Sequence, residues 1–168
     1  MCNHQIVLYP QNILRQKCIK VADFGDPKVK ELIAKLLDTM DSYGHCVGLA
    51  ANQIGSHLNI FVADASKNPK CESKFGRIVV INPELELIGE YEKKREGCMS
   101  VPNFTGDVSR STEVLLRGVD ENGNEIICQA EGFEARVFQH EVDHLNGKVF
   151  IDRVESSREV HARKIYKN

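Results

Sequence analysis

The chain has 168 residues, of which 42% are hydrophobic and 27% charged, and its formal net charge is −2. This length and composition are typical of a soluble globular protein, so we expect one domain over residues 1–168. The small net charge gives no electrostatic reason to expect nucleic acid or an anionic membrane as the main partner. No apolar run approaches the roughly 18 residues of a membrane span.

The start of the chain, MCNHQIVLYP, lacks the basic stretch and apolar core of a secretory signal. The six cysteines are spread widely and form no C-x-x-C pair, which predicts reduced thiols rather than a disulfide framework. Both features predict a cytoplasmic protein.

The first predicted helix lies within FGDPKVKELIAKLLDTMDSYG (24–44). Asp26 is placed to cap it, Pro27 suits its first turn, and Gly44 lies past its end. Apolar residues recur at helical spacing and form one stripe that we expect to face the core. The residues of this stripe are Val29, Leu32, Ile33, Leu36, Leu37 and Met40.

Strand signals follow this helix. NIFVADA (59–65) and RIVVINPELELI (77–88) are rich in β-branched residues, and STEVLLRGVDENGNEIICQAEG (111–132) predicts a hairpin. Asn122-Gly123 favours a tight primed turn at its tip. FEARVFQHEVDHL (133–145) then has the pattern of a helix. The order of helix, strands and helix predicts an α+β fold, with mainly antiparallel sheets around the second helix.

This second helix carries His-Glu-x-x-His. Residues four apart lie on one helix face, so His140 and His144 can bind one metal ion. Glu141 is turned about 100° from His140 in an ideal helix and can reach the metal's water instead. The alternative is a surface helix on which two histidines lie four apart by chance.

A catalytic metal needs a third protein ligand. A metzincin site would have histidine at position 150, where this chain has phenylalanine. A thermolysin-like site would take Glu155 or Glu159, which lie close behind the helix. The segment REGCMSVPN (95–103) offers Cys98 upstream, and two imidazoles with one thiolate leave the fourth position open. Spacing alone does not choose Cys98 over the other cysteines.

Three segments together resemble the signature segments of the peptide deformylase family: CVGLAANQ (46–53), EGCMS (96–100) and QHEVDHL (139–145). The resemblance implies a metal-dependent hydrolase that removes the N-formyl group from the initiator formyl-methionine of new polypeptides. It also implies one divalent metal ion, with ferrous iron as the working metal and nickel, cobalt or zinc as replacements. The expected substrate is the formyl-methionyl end of a nascent chain. The enzyme is expected to be a monomer, and the ribosome is a further candidate partner.

The resemblance also assigns residues. The implied metal ligands are Cys98, His140 and His144. Glu141 would be the general acid and base, while Gln53 and the backbone N–H of Met99 would flank the formyl oxygen.

Substrate contacts are expected from the first segment and from the second helix. Gly48 is small enough for a peptide backbone to approach closely and to pair with this edge as an added strand. The family's substrate also implies an apolar pocket for the methionine side chain. Its wall candidates are Val137 and Phe138, for which a place in the core is the alternative, and Val47 is a further candidate for substrate contact.

Two positions depart from the family pattern. Cys46 stands where glycine is common, so its side chain must find room near the site. Thr105 stands where family members often carry an arginine that meets the substrate backbone, which predicts weaker binding of longer peptides. Arg110 lies nearby and is interpreted as a structural residue rather than a replacement.

Two other functions are alternatives to removal of a formyl group. A zinc metallopeptidase of the His-Glu-x-x-His type would cut unformylated peptides. A non-catalytic metal-binding module would need neither Glu141 nor Gln53.

The short basic end, REVHARKIYKN (158–168), is interpreted as a solvated helix, with contact to ribosomal RNA as the alternative.

Overall fold

The structure, a computed structural model, describes residues 5–163. Two α-helices lie in this range, α1 (Pro27–Ser42) and α2 (Gly132–Leu145). The strands are β1 (Gly48–Ala50), β2 (Ile60–Asp64), β3 (Arg77–Leu87), β4 (Tyr91–Cys98), β5 (Val101–Ser111), β6 (Glu113–Val119), β7 (Glu125–Glu131) and β8 (Val160–Ala162). Short 3₁₀ helices lie at Asn12–Arg15, Ala51–Ile54, Ala65–Lys67, Phe150–Arg153 and Ser157–Glu159.

Helix α1 forms as the sequence predicts. The carboxylate of Asp26 accepts a hydrogen bond from the backbone N–H of Lys28, and Pro27 occupies the first turn, where no N–H partner is needed. Within the apolar stripe, Val29, Ile33, Leu36 and Met40 are buried, while Leu32 and Leu37 are partly buried against them. The stripe therefore belongs to the core.

The larger sheet has five antiparallel strands in the order β1-β2-β3-β6-β7. Strand β2 is buried along its whole length because it lies inside the sheet and both faces are covered. Strand β1 is an edge strand, so one side of its backbone has no partner within this sheet. This edge reaches the candidate site.

The hairpin of β6 and β7 is confirmed, but the turn predicted at its tip is wrong. Val119 pairs with Glu125, so the loop is longer than the two residues of a primed turn. Only Gly123 has a positive φ there, of 85°, and Asn122 does not. The side chain of Asp120 accepts hydrogen bonds from the N–H groups of Asn122 and Asn124, which stabilises this longer turn.

A second sheet has three antiparallel strands in the order β4-β5-β8. Neither β4 nor β5 is among the strands that the sequence pattern predicts. Strand β4 has the sequence YEKKREGC, and most of its side chains are exposed. A charged edge strand lacks the apolar alternation by which strands are recognised, because only a few of its residues enter the core.

Helix α2 packs against strands of both sheets. Its buried Phe138 lies against Phe61 of β2, with ring centroids 6.1 Å apart. The smaller sheet has its own apolar cluster around Val108 and Phe150. The α+β fold with mainly antiparallel sheets around a central helix is therefore confirmed. Neither described helix is long and apolar enough to cross a membrane.

The basic end forms a strand over Val160–Ala162, so the predicted helix is wrong there. This strand pairs with β5, with Thr105 opposite His161. Residues 164–168 lie outside the described part of the chain. The cysteines within residues 5–163 are free thiols, as predicted, and Cys2 lies outside that range.

Candidate active site

Three side chains converge where the end of β4 meets the second half of α2. The candidate ligand atoms of Cys98, His140 and His144 all lie within 4.8 Å of one another. The thiol sulfur of Cys98 is 3.2 Å from Nε2 of His144. His140 and His144 meet edge to face, with ring centroids 4.9 Å apart, as expected for positions four apart on one helix face.

The chemistry of these groups fits a divalent metal ion. Burial alone would raise the pKa of the Cys98 thiol, but the imidazoles of His144 and His140 outweigh it and hold that pKa well below its ordinary value. The thiolate is the form of cysteine that binds a metal. Beside the cluster, Oε2 of Glu141 is buried and has no hydrogen-bond partner among the described residues. A buried polar atom of this kind indicates a missing partner, such as a metal-associated water.

Glu96 orients His140. Its Oε2 lies 3.1 Å from Nδ1 of His140, and its carboxylate also accepts hydrogen bonds from Arg110 and Arg136. Burial alone would raise the pKa of Glu96, but the contacts with His140 and Arg110 hold it below its usual range. Because the carboxylate only accepts, Nδ1 of His140 must donate, which leaves Nε2 free for a metal.

Glu141 lies on the same helix and is also buried. Burial raises the pKa of its carboxyl to about 7, against the opposing effect of the imidazoles of His140 and His144. A carboxyl with a pKa near neutrality can both accept and release a proton at that pH. Gly48 of β1 makes room for it, because a Cβ at this position would lie 2.5 Å from Oε1 of Glu141.

Gln53 is buried and held by its own amide oxygen, which accepts a hydrogen bond from the N–H of Ala50 at 2.9 Å. Its Nε2 therefore points the other way, 3.5 Å from the sulfur of Cys98 and 3.1 Å from Oγ of Ser100. Met99 lies in the turn between β4 and β5, next to the cluster. The amide of Gln53 and residue 99, which directly follows Cys98, thus both adjoin the cluster.

A cavity of about 210 Å³ opens beside these groups. Val137, a predicted wall residue, and Val47, a predicted substrate contact, both line it. Phe138 does not line it, because this side chain points into the core against Phe61. Phe133 lines the cavity and was missed, although its spacing of four from Val137 places both on one face of α2.

The alternative ligands lie elsewhere. Glu155 and Glu159 both form ion pairs with Lys93, at 3.0 and 2.6 Å. Arg110 is confirmed as structural, since it is buried and paired with Glu96 and Asp143. The thiol of Cys46 is accommodated near the site, where it donates a hydrogen bond to the carbonyl of Gly48 at 3.1 Å.

The sequence is similar to those of known proteins. A family model described as polypeptide deformylase matches residues 3–160. A peptide deformylase of Desulforudis audaxviator is 46% identical over 155 residues, covering 91% of this chain and 94% of the relative. That of Desulfosudis oleivorans is 42% identical over 165 residues, covering 96% and 92%.

Solved structures agree with these relatives. The peptide deformylase of Ehrlichia chaffeensis in complex with actinonin superposes with a TM-score of 0.85 at 32% identity, covering 95% of this chain and 92% of that one. The enzyme of Thermotoga maritima gives a TM-score of 0.82 at 35% identity, covering 93% and 100%. The match extends over most of the sequence and over both sheets and helices. The chain therefore belongs to the polypeptide deformylase family.

Proposed function

We propose that the cavity beside Cys98, His140 and His144 is where this metal-dependent hydrolase removes the formyl group from the initiator formyl-methionine of new polypeptides. The observation that carries the proposal is the buried carboxylate of Glu141, unpartnered at Oε2 and adjacent to a Cys-His-His cluster. A structural metal site has no use for such a carboxylate, because its four positions are filled by protein ligands.

Cys98, His140 and His144 would hold one divalent ion. Such an ion, when bound, lowers the pKa of a water molecule to about 7 and so supplies a hydroxide equivalent at neutral pH. Glu141 would accept a proton from the attacking water and would later give it to the departing amine of methionine. Both transfers need one carboxyl with a pKa near the working pH, which burial provides for Glu141.

Gln53 and Met99 would stabilise the charge that develops on the formyl oxygen during attack. The amide Nε2 of Gln53 is fixed in direction, since its Oε1 is bound to the N–H of Ala50. Donors fixed before the reaction need no reorganisation as charge develops, and removing one such donor typically costs about 10²–10³-fold in turnover.

The peptide would bind along the unpaired edge of β1, where Gly48 exposes its backbone. The methionine side chain would lie in the cavity against the apolar walls of Val47 and Val137, with Phe133 as a further wall. Backbone pairing sets the orientation of the peptide, while the pocket selects the first side chain.

Ferrous iron is the proposed working metal, and nickel, cobalt or zinc would fit the same ligands. A thiolate with two imidazoles accepts several first-row ions, so availability decides which one is bound. We further propose one catalytic domain over residues 1–168 that acts as a monomer, because all proposed site residues come from one chain. We propose a cytoplasmic location because the proposed substrate is a newly made polypeptide. Docking to the ribosome would bring the enzyme to its substrate.

The test is deformylation of formyl-Met-Ala-Ser, with metal content measured on the same sample. The expected result is one metal ion per chain and release of formate. Unformylated Met-Ala-Ser, incubated in parallel, separates this function from a metallopeptidase. Cleavage of its peptide bonds without release of formate from the formylated peptide would overturn the proposal.

A further inference from the structure

The outer face of the smaller sheet carries Gly97, Thr105 and Arg163 side by side. Gly97 pairs with Thr105, and the backbone N–H of Arg163 donates to the carbonyl of Asn103 just beyond the last paired residue of β8. A Cβ built on Gly97 would lie 3.5 Å from Cγ2 of Thr105 and would collide with a guanidinium nitrogen of Arg163. The head group of Arg163 therefore lies directly over the backbone of Gly97.

This position adjoins the active site. Gly97 directly precedes Cys98 in β4, which is an edge strand. A second cavity, of about 300 Å³, is lined by Arg163 and Tyr43 and shares Gly97, Cys98 and Met99 with the catalytic cavity. We call these two adjoining cavities the groove, and Arg163 lines the part of it that contains no residue of α2.

The charge of Arg163 is available to a ligand. Among residues 5–163, no carboxylate lies within 4.0 Å of its guanidinium group. The two other arginines of the groove differ in this respect, because Glu96 lies 2.7 Å from Nη1 of Arg136 and Asp107 lies 3.3 Å from Nε of Arg95. Asp107 also pairs with His161, so this carboxylate is fully engaged.

We propose that Arg163 determines affinity for peptides longer than formyl-methionine, by donating hydrogen bonds to backbone carbonyl groups of the residues that follow it. The inference rests on the function proposed above. The side chain of residue 105 faces Gly97, since Cγ2 of Thr105 lies 3.5 Å from a Cβ built there, and the guanidinium group of Arg163 lies over the same glycine. The C-terminal strand thus supplies, from a different element, the contact that threonine at position 105 cannot make.

Two structural features support a backbone carbonyl as the acceptor. Strands β1 and β4 each present an unpaired edge to the groove, so a peptide between them is extended. The carbonyl groups of an extended peptide point sideways at every residue, and a guanidinium group offers five N–H donors. Glycine at position 97 is required for this approach, since any side chain would displace the arginine.

The test compares KM and kcat for formyl-Met-Ala-Ser amide and for formyl-Met amide, which is too short to reach Arg163. In Arg163→Ala, KM for the longer substrate should rise roughly three- to tenfold, as expected for loss of an exposed charge-assisted hydrogen bond, while kcat changes little. KM for formyl-Met amide should change less than twofold. Arg158→Ala, an exposed arginine of the same segment, is the matched control and should leave both substrates unaffected.

A second variant tests whether Arg163 binds the peptide or only stabilises the fold. Thr105→Arg in the Arg163→Ala background should restore KM for the longer peptide, whereas in the wild-type background it should gain little. An equal rise in KM for both substrates, an unchanged KM or a lower KM for the longer peptide would each overturn the proposal for Arg163. Failure of the wild-type enzyme to release formate from formyl-Met amide would instead overturn the function proposed above.

Discussion

Gly48 and Glu141 occupy space that only one side chain can fill. A Cβ on residue 48 would lie 2.5 Å from Oε1 and 2.9 Å from Cδ of Glu141. Both distances are shorter than atoms tolerate without a shift, so the buried carboxylate keeps its position because residue 48 has no side chain. The catalytic geometry thus depends on a residue of the larger sheet that takes no part in metal binding.

Gly48→Ala should therefore lower kcat by displacing Glu141, while the metal ligands keep their positions. We expect a loss of about tenfold or more, since a misplacement of about 1 Å at a catalytic group can cost 10²-fold. Metal content and turnover measured on the same preparation check this expectation. Wild-type kcat in a folded Gly48→Ala enzyme would show that Glu141 tolerates the shift.

Glu141→Ala should keep its metal and lose most turnover. The carboxylate is assigned to proton transfer rather than ligation, and general acid–base catalysis is worth about 10²–10⁴-fold. Glu141→Gln is the matched control, because it preserves size but cannot take the proton. A metal-free Glu141→Ala protein would place Glu141 among the ligands and refute the assignment.

Cys98→Ala should abolish tight metal binding, because it removes the thiolate that lies 3.2 Å from Nε2 of His144. Cys46→Ala, Cys71→Ala and Cys128→Ala serve as controls and should bind metal nearly as well as the wild type. The measurement is metal stoichiometry after dialysis across the four variants. Full occupancy in Cys98→Ala would contradict the proposed ligand set.

Enzyme loaded with ferrous iron and kept in air should lose activity over time, whereas nickel- or cobalt-loaded enzyme should keep it. The thiolate of Cys98 is buried but lines the catalytic cavity, and a thiolate that small oxidants can reach is oxidised stepwise by oxygen-derived species. Zinc-loaded enzyme should also resist air but turn over slowly. Activity followed over hours, with Cys98 oxidation read by mass spectrometry, tests this expectation, and equal decay for iron and nickel would contradict it.

Stability should fall at alkaline pH partly because of Cys18. Burial raises the pKa of its thiol to about 11, so the folded state favours the neutral form. The stabilisation is fully present below the unfolded pKa of about 8.5 and is lost as pH rises through the folded value. The free energy of unfolding, measured in urea from pH 8 to pH 11, should therefore decline more steeply in the wild type than in Cys18→Ala. Parallel curves would show that the thiol does not contribute.

The features that follow from local pattern were predictable from the sequence. Helix α1 was recognised from its cap and apolar stripe, and the clustering of His140 with His144 follows from helical spacing. The placement of Cys98 beside them required the β4–β5 hairpin, which its charged sequence conceals. Its candidacy as the third ligand came from a family resemblance, because no local rule brings residue 98 to residue 140.

Other features depend on long-range register. Arg163 reaches Gly97 only because β8 pairs with β5, a contact between residues far apart in the chain. Phe138 was considered for the pocket wall but points into the core, since helical phase alone does not tell which of two apolar neighbours faces a cavity. Tertiary packing decides both cases.

The unpaired edges of β1 and β4 restrict when the enzyme can act. A peptide that binds between them must be extended and must have free backbone N–H and C=O groups. An amino terminus already paired in its own helix or sheet offers neither, and exposing it would cost the free energy of local unfolding. The proposed binding mode therefore confines formyl removal to the interval after a new chain emerges and before its first residues fold.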